Sequence, residues 1–396
     1  MGMNMLKVKE EITLLLDELI ALRRDFHMHP ELGYQEFRTS KIVYEYLSNL
    51  GMEVSMMTKT GVVGLLKGNK EGKTVLLRAD LDALPQDEKT GLTYQSQNKG
   101  IMHACGHDGH TAMLLIAAKI LARHKEAFNG NVKFVFQPNE EEAGALNMIQ
   151  EGVLEKPKPD AAFALHLWTP LESGKIGLAT GPVMACTEEF EISIIGKAGH
   201  TSAPHTAIDP ILAAANVIQS LQSIQTREVD PLLPITIMVG KVHGGSGRNI
   251  IADEVEIGGT IRFLFKNEET EKIVLLEKFE RLIKGICEGM GVQYSLKFIP
   301  SNPSLFNHAK MVECVKHASI ETFGKEDNIV EYRCMAGEDF AEFTHRVPSA
   351  FYFVGTGNVE KNSQYPHHHP LFNIDEDTLK TGVEMHVRSV LNFLAI

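Results

Sequence analysis

Within six residues the segment MHACGHDGHT (102–111) holds Cys105, His107, Asp108 and His110. Thiolate sulfur and imidazole nitrogen are natural donors to a borderline-soft divalent ion. In an extended loop, residues two apart point to the same side, which pairs Cys105 with His107. Asp108 is a carboxylate placed to orient a ligating imidazole. Glu140, Glu141 and Glu142 follow Gln-Pro in VKFVFQPNEEEAGA (132–145), Asp80 and Asp82 close TVLLRADLD (74–82), and His166 lies in AAFALHLW (161–168). The run His367-His368-His369 before Pro370 offers at least one more imidazole. Open α/β sheets collect their sites beyond the carboxyl ends of strands. Several strand-like runs that each lead into such groups therefore predict one metal-dependent centre. A cysteine nucleophile served by His107 is the competing reading of the first segment.

These residues need a scaffold. The first 45 or so residues read as helical, with EEITLLLDELIALRRDFH at helical spacing and the pattern continuing from Ser40 to Leu50. The runs 62–66, 74–82, 132–137 and 161–168 are strand-length and β-rich, and the helical stretch 111–124 stands between two of them. Strands alternating with helices predict an α/β unit with a mostly parallel central sheet. From about residue 187 the rhythm changes. Strands 190–198, 234–242, 254–265 and 292–300 and helices 207–224 and 271–290 run in the order β-α-β-β-α-β, the ferredoxin-like split unit. After residue 300 the α/β style returns, with a helix near 309–323, a strand at 350–355 and a helix from Asp375 to the end. The expected organisation is a discontinuous domain, 1–186 and 301–396, interrupted by an inserted domain, 187–300.

The chain has 396 residues, 43% hydrophobic and 23% charged, with Asp+Glu 51 against Lys+Arg 39 and a net charge of −12. This balance excludes collagen-like, disulfide-dense and disordered classes and argues against nucleic acid or an anionic membrane as partner. No apolar run approaches the roughly 20 residues of a membrane span. The N-terminus lacks a secretory pattern, and Leu6 breaks the myristoylation pattern begun by Gly2. The five cysteines are scattered and form no CxxC, which suits a cytoplasmic chain. GNKEGKT (68–74) fails as a phosphate loop and GGSGRN (244–249) as a nucleophile elbow, and no G-x-G-x-x-G occurs.

DFHMHPELGYQE (25–36), RADLDALP (78–85), MHACGHDGHT, FQPNEEE, LHLW (165–168), GKAGHTSAPH (196–205), AGEDF (336–340) and HHPLFNIDE (368–376) run in the order seen in one family. Over nearly its whole length the chain resembles the metal-dependent amidohydrolases of N-acyl amino acids. That group includes hippurate hydrolase, indole-acetyl-amino-acid hydrolases and N-acetyl-diaminopimelate deacetylase, with aminoacylase and carboxypeptidase G as more distant relatives. The resemblance implies hydrolysis of the amide bond of an N-acyl amino acid with two divalent ions, Mn²⁺ or Zn²⁺. A dipeptidase or carboxypeptidase on the same scaffold is the alternative. By similarity Cys105 would lie between the metals as an oxidisable thiolate of low pKa, His107 and His166 on one, Glu141 and His368 on the other. Glu140 would be the general base and Asp82 would orient an imidazole, while Glu142 departs from the family pattern. Asp80 stands where distant relatives have a ligating histidine. The inserted domain would be a lid and a surface for a homodimer or higher homo-oligomer. Its His200 would donate to the oxyanion, and Asn249 and Arg262 would hold the substrate carboxylate.

Overall fold

The computed structural model describes residues 7–395, so the pattern test at Gly2 and Leu6 lies outside the described residues. In chain order the first stretch forms α1 (Val8–Leu14), α2 (Leu16–Met28), α3 (Phe37–Asn49), β1 (Glu53–Met57), β2 (Gly61–Lys67), β3 (Thr74–Asp80), α4 (His107–Arg123), β4 (Asn131–Gln137), α5 (Ala145–Gln150), β5 (Ala161–Glu172), β6 (Ile176–Gly177) and β7 (Gly181–Met184). Then come β8 (Cys186–Ile195), β9 (Gly199–His200), α6 (Pro210–Ser223), β10 (Ile235–Gly244), β11 (Ile250–Ile251), β12 (Glu254–Phe263), α7 (Glu268–Met290) and β13 (Gln293–Pro300). The last stretch forms β14 (Leu305–Asn307), α8 (Ala309–Phe323), β15 (Ile329–Val330), α9 (Ala341–Thr344), β16 (Ser349–Gly357) and α10 (Leu379–Ala395). Two compact units result. Of the described residues, one comprises 7–183, Leu305–Arg333 and 338–395; the other is Met184–Ser304 with Cys334–Gly337.

The first unit is built on an eight-stranded sheet in the order β1-β2-β4-β3-β5-β16-β6-β15. Its centre, β4-β3-β5-β16, is parallel, and β1, β2 and β6 join antiparallel. Every residue of β3 is buried, as expected of a parallel strand covered on both faces. Helix α4 is apolar on nearly every side, and all but three of its seventeen residues are buried. The expected N-terminal helix is two helices, because Leu15 turns out of helical geometry and its N–H bonds Ile12 at 3.0 Å. No proline or glycine marks that break. Strand β1 also escaped the sequence reading; none of its five residues is buried, so it lacks the alternation that betrays a strand.

The second unit is a four-stranded antiparallel sheet in the order β10-β12-β8-β13. Counting only these strands in chain order gives 4-1-3-2 read from β13, the ferredoxin-like arrangement that the β-α-β-β-α-β order predicts. Val217 and Leu221 of α6 and Phe279 and Ile283 of α7 share its core with Phe190 and Ile192 of β8. Asp209 caps α6 by accepting the Ile211 N–H at 2.9 Å, with Pro210 at the first helical position. The segment 334–337 joins this unit by backbone contact: Ala185 N–H donates to Ala336 O at 2.9 Å. Among the described residues no helix is long and apolar enough to cross a membrane.

One buried charge of the first unit is purely structural. Lys133 on β4 donates to the carbonyls of Val153, Glu155 and Pro157 at 2.9, 2.7 and 2.8 Å, tying down the turn after α5. Lys133→Met leaves those carbonyls without a donor and should cost about 1–3 kcal/mol of stability, read by urea unfolding. The turnover of the folded fraction should not change.

Candidate metal centre

Gly106, at φ 93°, caps the N-terminus of α4, so Cys105 and His107 meet across a left-handed turn and not in an extended loop. Only glycine adopts that conformation without strain. Gly109 lets the first turn of α4 lie close to β5, since a Cβ there would stand 2.6 Å from Leu167 Cδ1. The turn thus faces His166 on β5, and Cys105 Sγ lies 3.4 Å from His166 Nε2.

Hydrogen bonds fix which ring nitrogen of each histidine is free. His107 Nδ1 donates to the Asp82 carbonyl at 2.9 Å, and its Nε2 is buried without a partner. His166 Nδ1 donates to the Leu167 carbonyl at 2.7 Å, leaving Nε2 towards Cys105. His110 differs. Its Nδ1 donates to Asp80 at 2.6 Å and its Nε2 accepts the Leu167 N–H at 2.9 Å, so no lone pair remains for an ion. The three rings of the histidine run have different neighbours. His367 Nε2 donates to Leu167 O at 2.9 Å while its ring stacks on Trp168, and His369 accepts from Leu371 N–H at 3.1 Å. His368, held at φ 63°, lies with Nε2 3.3 Å from Glu141 Oε1.

The acidic triplet forms a single 3-10 turn, Glu140–Glu142, between two left-handed residues, Asn139 at φ 57° and Ala143 at φ 61°. Gly144 closes the loop where a Cβ would meet Pro138 O at 2.2 Å, so no other residue fits. The turn splits the three glutamates. Glu140 is buried, Glu141 half-buried and Glu142 exposed. Glu141 N–H donates to Asp82 Oδ2 at 3.1 Å, and its Oε1 is buried without a hydrogen bond.

Five groups of donor atoms lie within 4.8 Å of one another among the described residues, and two of them share Cys105: Cys105-His107-His166 and Cys105-Glu141-His368; His107-Glu140-Glu141 and Glu140-Glu338-Asp339 lie beside them. His107 Nε2 in the first set and Glu141 Oε1 in the second are buried without a hydrogen-bond partner, which fits a cation in each. The group Asp80-His107-His110 also satisfies the distance, but His110 is saturated, and the Asp80 oxygens are taken by His110 and, at 2.6 Å, by Arg78.

Burial, reinforced by Glu141, Glu140 and Asp80, holds the Cys105 thiol well above its ordinary range. The low thiol pKa expected from the sequence is therefore absent unless a cation is bound, and a cysteine nucleophile loses its basis. Burial alone would push His107 down, but Asp80 and Asp82 carry it to about 10. Burial, with Glu338, Glu141 and Asp339 adding to it, pushes Glu140 well up against the opposing pull of Arg78. A carboxyl raised in this way can both take and return a proton.

Asp108 does not orient a ligating imidazole. Its side chain turns to the other side of α4, where it accepts from His27 Nδ1 at 2.7 Å and pairs with Arg23 at 2.9 Å. Asp82 holds His107 instead. In the second unit the β9–β11 ladder sets His200 against Ile250, beside Asn249, whose carbonyl accepts the Thr201 N–H at 3.2 Å. His200 Nδ1 accepts from the Ser202 N–H and hydroxyl at 3.1 and 2.7 Å, which leaves the proton on Nε2. Arg262 donates to Thr187 Oγ1 at 3.3 Å and Met335 O at 3.2 Å. It pairs with the Thr187 end of β8, whereas His200 follows the Ile195 end. The sequence reading missed Arg78, Glu36, Glu338 and Asp339, all buried around the acidic loop. The available signal was charge inside otherwise apolar runs, as in TVLLRAD.

A thermostable carboxypeptidase of Saccharolobus solfataricus is 38% identical over 394 residues, 98% of either chain. An N-acyl-L-amino acid amidohydrolase of Geobacillus stearothermophilus is 45% identical over 297 residues, covering 73% of this chain and 79% of that one. Among solved structures, a dinuclear metal-binding peptidase of Bacillus subtilis superposes with a TM-score of 0.82 at 34% identity, covering 96% of this chain and 99% of that one. The model of Peptidase family M20/M25/M40 matches residues 76–392, and the chain belongs to that family.

Proposed function

We propose that this chain is a metal-dependent amidohydrolase that cleaves the amide bond of N-acyl amino acids, releasing a carboxylic acid and a free amino acid. The observation that carries the reading is Cys105, shared by two donor sets beside the raised carboxyl of Glu140. In this reading Cys105, His107 and His166 hold one divalent ion, and Cys105, Glu141 and His368 the other, with manganese or zinc the ions of choice. Such ions lower the pKa of water from 15.7 towards about 7 and polarise a carbonyl. Glu140 takes the proton of the attacking water and delivers it to the departing nitrogen. Asp82 fixes the His107 tautomer so that Nε2 faces inward. His200, its proton on Nε2, suits an oxyanion donor. Arg262 has no carboxylate partner among the described residues and suits, with Asn249, a substrate carboxylate. Glu140→Gln should lower kcat by about 10²–10⁴-fold with metal content unchanged; a variant that keeps wild-type turnover removes the base assignment.

The full-length likeness to the Saccharolobus carboxypeptidase supports a second reading, a dipeptidase or carboxypeptidase that releases the carboxyl-terminal residue of a peptide. A panel of N-acetyl and N-benzoyl amino acids set against free dipeptides separates the two, and the first reading expects the acylated compounds to be preferred. Arg262→Ala should raise KM for substrates with a free α-carboxylate and leave their amides unaffected.

The second unit is also the proposed contact between copies. Strand β10 is a sheet edge and exposes Met238 and Val242, while α6 exposes Ile211 and Leu212. An apolar unpaired edge invites a second strand. Light scattering should find a homodimer or higher homo-oligomer, and Met238→Lys should shift it towards monomer. Five free cysteines suit a reducing cytoplasm.

A further inference from the structure

Two sequence motifs take no direct part in the proposed chemistry, DFHMHPELGYQE (25–36) and AGEDF (336–340). Both end on the acidic loop, 138–144. Glu36 is fully buried; its Oε1 accepts the Asn139 N–H at 3.0 Å and its Oε2 the Thr60 hydroxyl at 2.7 Å. Gly33 lies so close that a Cβ would stand 1.9 Å from Asn139 Oδ1. The segment 29–36 is therefore shaped around a left-handed residue at the loop's entry.

Asp339 holds the exit. Its Oδ2 accepts the Ala145 N–H at 2.8 Å, and both its oxygens receive Gln137 Nε2, at 2.8 and 2.7 Å. Arg78 fastens the same group to β3, donating to Asp339 Oδ1 at 2.8 Å and to Gln137 Oε1 at 2.9 Å. Together these hydrogen bonds hold both ends of the loop. The loop needs them, because Asn139 and Ala143 both stand at positive φ, a conformation that persists only where the surroundings over-determine it.

We propose that Glu36 and Asp339 are positioning residues, which clamp the two ends of this loop and so set the places of Glu140 and Glu141. The inference rests on the two-ion reading above. It carries a consequence that a general structural role does not. Of the two sets that share Cys105, only Cys105-Glu141-His368 draws on the loop, whereas Cys105-His107-His166 does not. Loosening the clamp weakens one ion and spares the other.

The test is a titration of the full-length, chelator-stripped chain with Co²⁺ alone, followed by absorbance, beside steady-state kinetics at saturating metal. For Glu36→Ala and Asp339→Asn the second equivalent should bind about 10–100-fold more weakly and the first unchanged, the usual cost of removing an outer-shell partner. kcat should fall and KM hold. Glu36→Gln keeps an acceptor for the Asn139 N–H and should restore the second equivalent. If Glu36→Ala does not fold, the nearly isosteric Asp339→Asn decides alone. Wild-type affinity for both equivalents overturns the proposal, as does equal weakening of the two. A wild-type chain that takes up no Co²⁺ overturns the two-ion reading itself, and the clamp with it.

Discussion

Asp80, Asp82, Glu140, Glu141, Glu338 and Asp339 bring six carboxyl groups to one edge of the parallel strands, and Arg78 is the one guanidinium set among them in the described residues. A buried ion without a partner costs several kcal/mol. The chain meets part of that cost unaided. Burial would raise Asp80, but His107, His110 and Arg78 keep it well below the usual carboxylate range. The remainder appears as a raised Glu140, a raised Cys105 and a His107 carried up to about 10. Each of these departures is what a region short of positive charge does with its protons. Divalent cations held as proposed would supply that charge, would displace the protons of Cys105 and His107, and would make ion binding part of the local folding energy.

Saturation then decides which donors face an ion. His107 and His110 lie on the same turn of one helix with ring centroids 5.5 Å apart, yet only His107 keeps a free nitrogen. The difference is the neighbour of each ring. His107 spends one nitrogen on a carbonyl, whereas His110 bridges a carboxylate and a backbone N–H. Exposure, not saturation, separates Glu141 from Glu142, and it is His368 whose Nε2 lies 3.3 Å from Glu141 Oε1. Spacing in sequence carries none of this information, because it depends on residues such as Asp82 and Leu167 that arrive from other strands.

Much of the architecture was legible from one-dimensional pattern. The buried parallel strands appear as unbroken apolar runs, and the ferredoxin-like order appears as alternating strands and amphipathic helices. What escaped was whatever lacked such a pattern: the exposed strand β1, the break at Leu15, and the three antiparallel pairings of the first sheet. Within the centre, Cys105, His107 and the glutamates announced themselves by type and crowding. Asp108 misled, because crowding in sequence says nothing of direction, and the first turn of a helix sends neighbouring side chains to different sides. His107 faces the cluster and Asp108 faces Arg23 and His27.

Glu36 and Asp339 were hidden for the opposite reason: each lies far along the chain from the acidic loop and grips a backbone N–H that any sequence would offer, with Thr60, Gln137 and Arg78 arriving from other strands or turns. Their positions make sense once the loop they hold is considered as a strained object. A turn flanked by two left-handed residues and closed by a glycine with no room for a Cβ has little reason of its own to keep its shape. Three carboxylates, Glu36, Asp82 and Asp339, take its amides at entry, middle and exit. The acidity concentrated at this edge thus serves two ends. Glu36, Asp82 and Asp339 hold the backbone of the loop, and Glu140 and Glu141 are the groups that the loop presents to the proposed ions. A substitution in the first group should act on the second through the loop, without touching either metal or substrate.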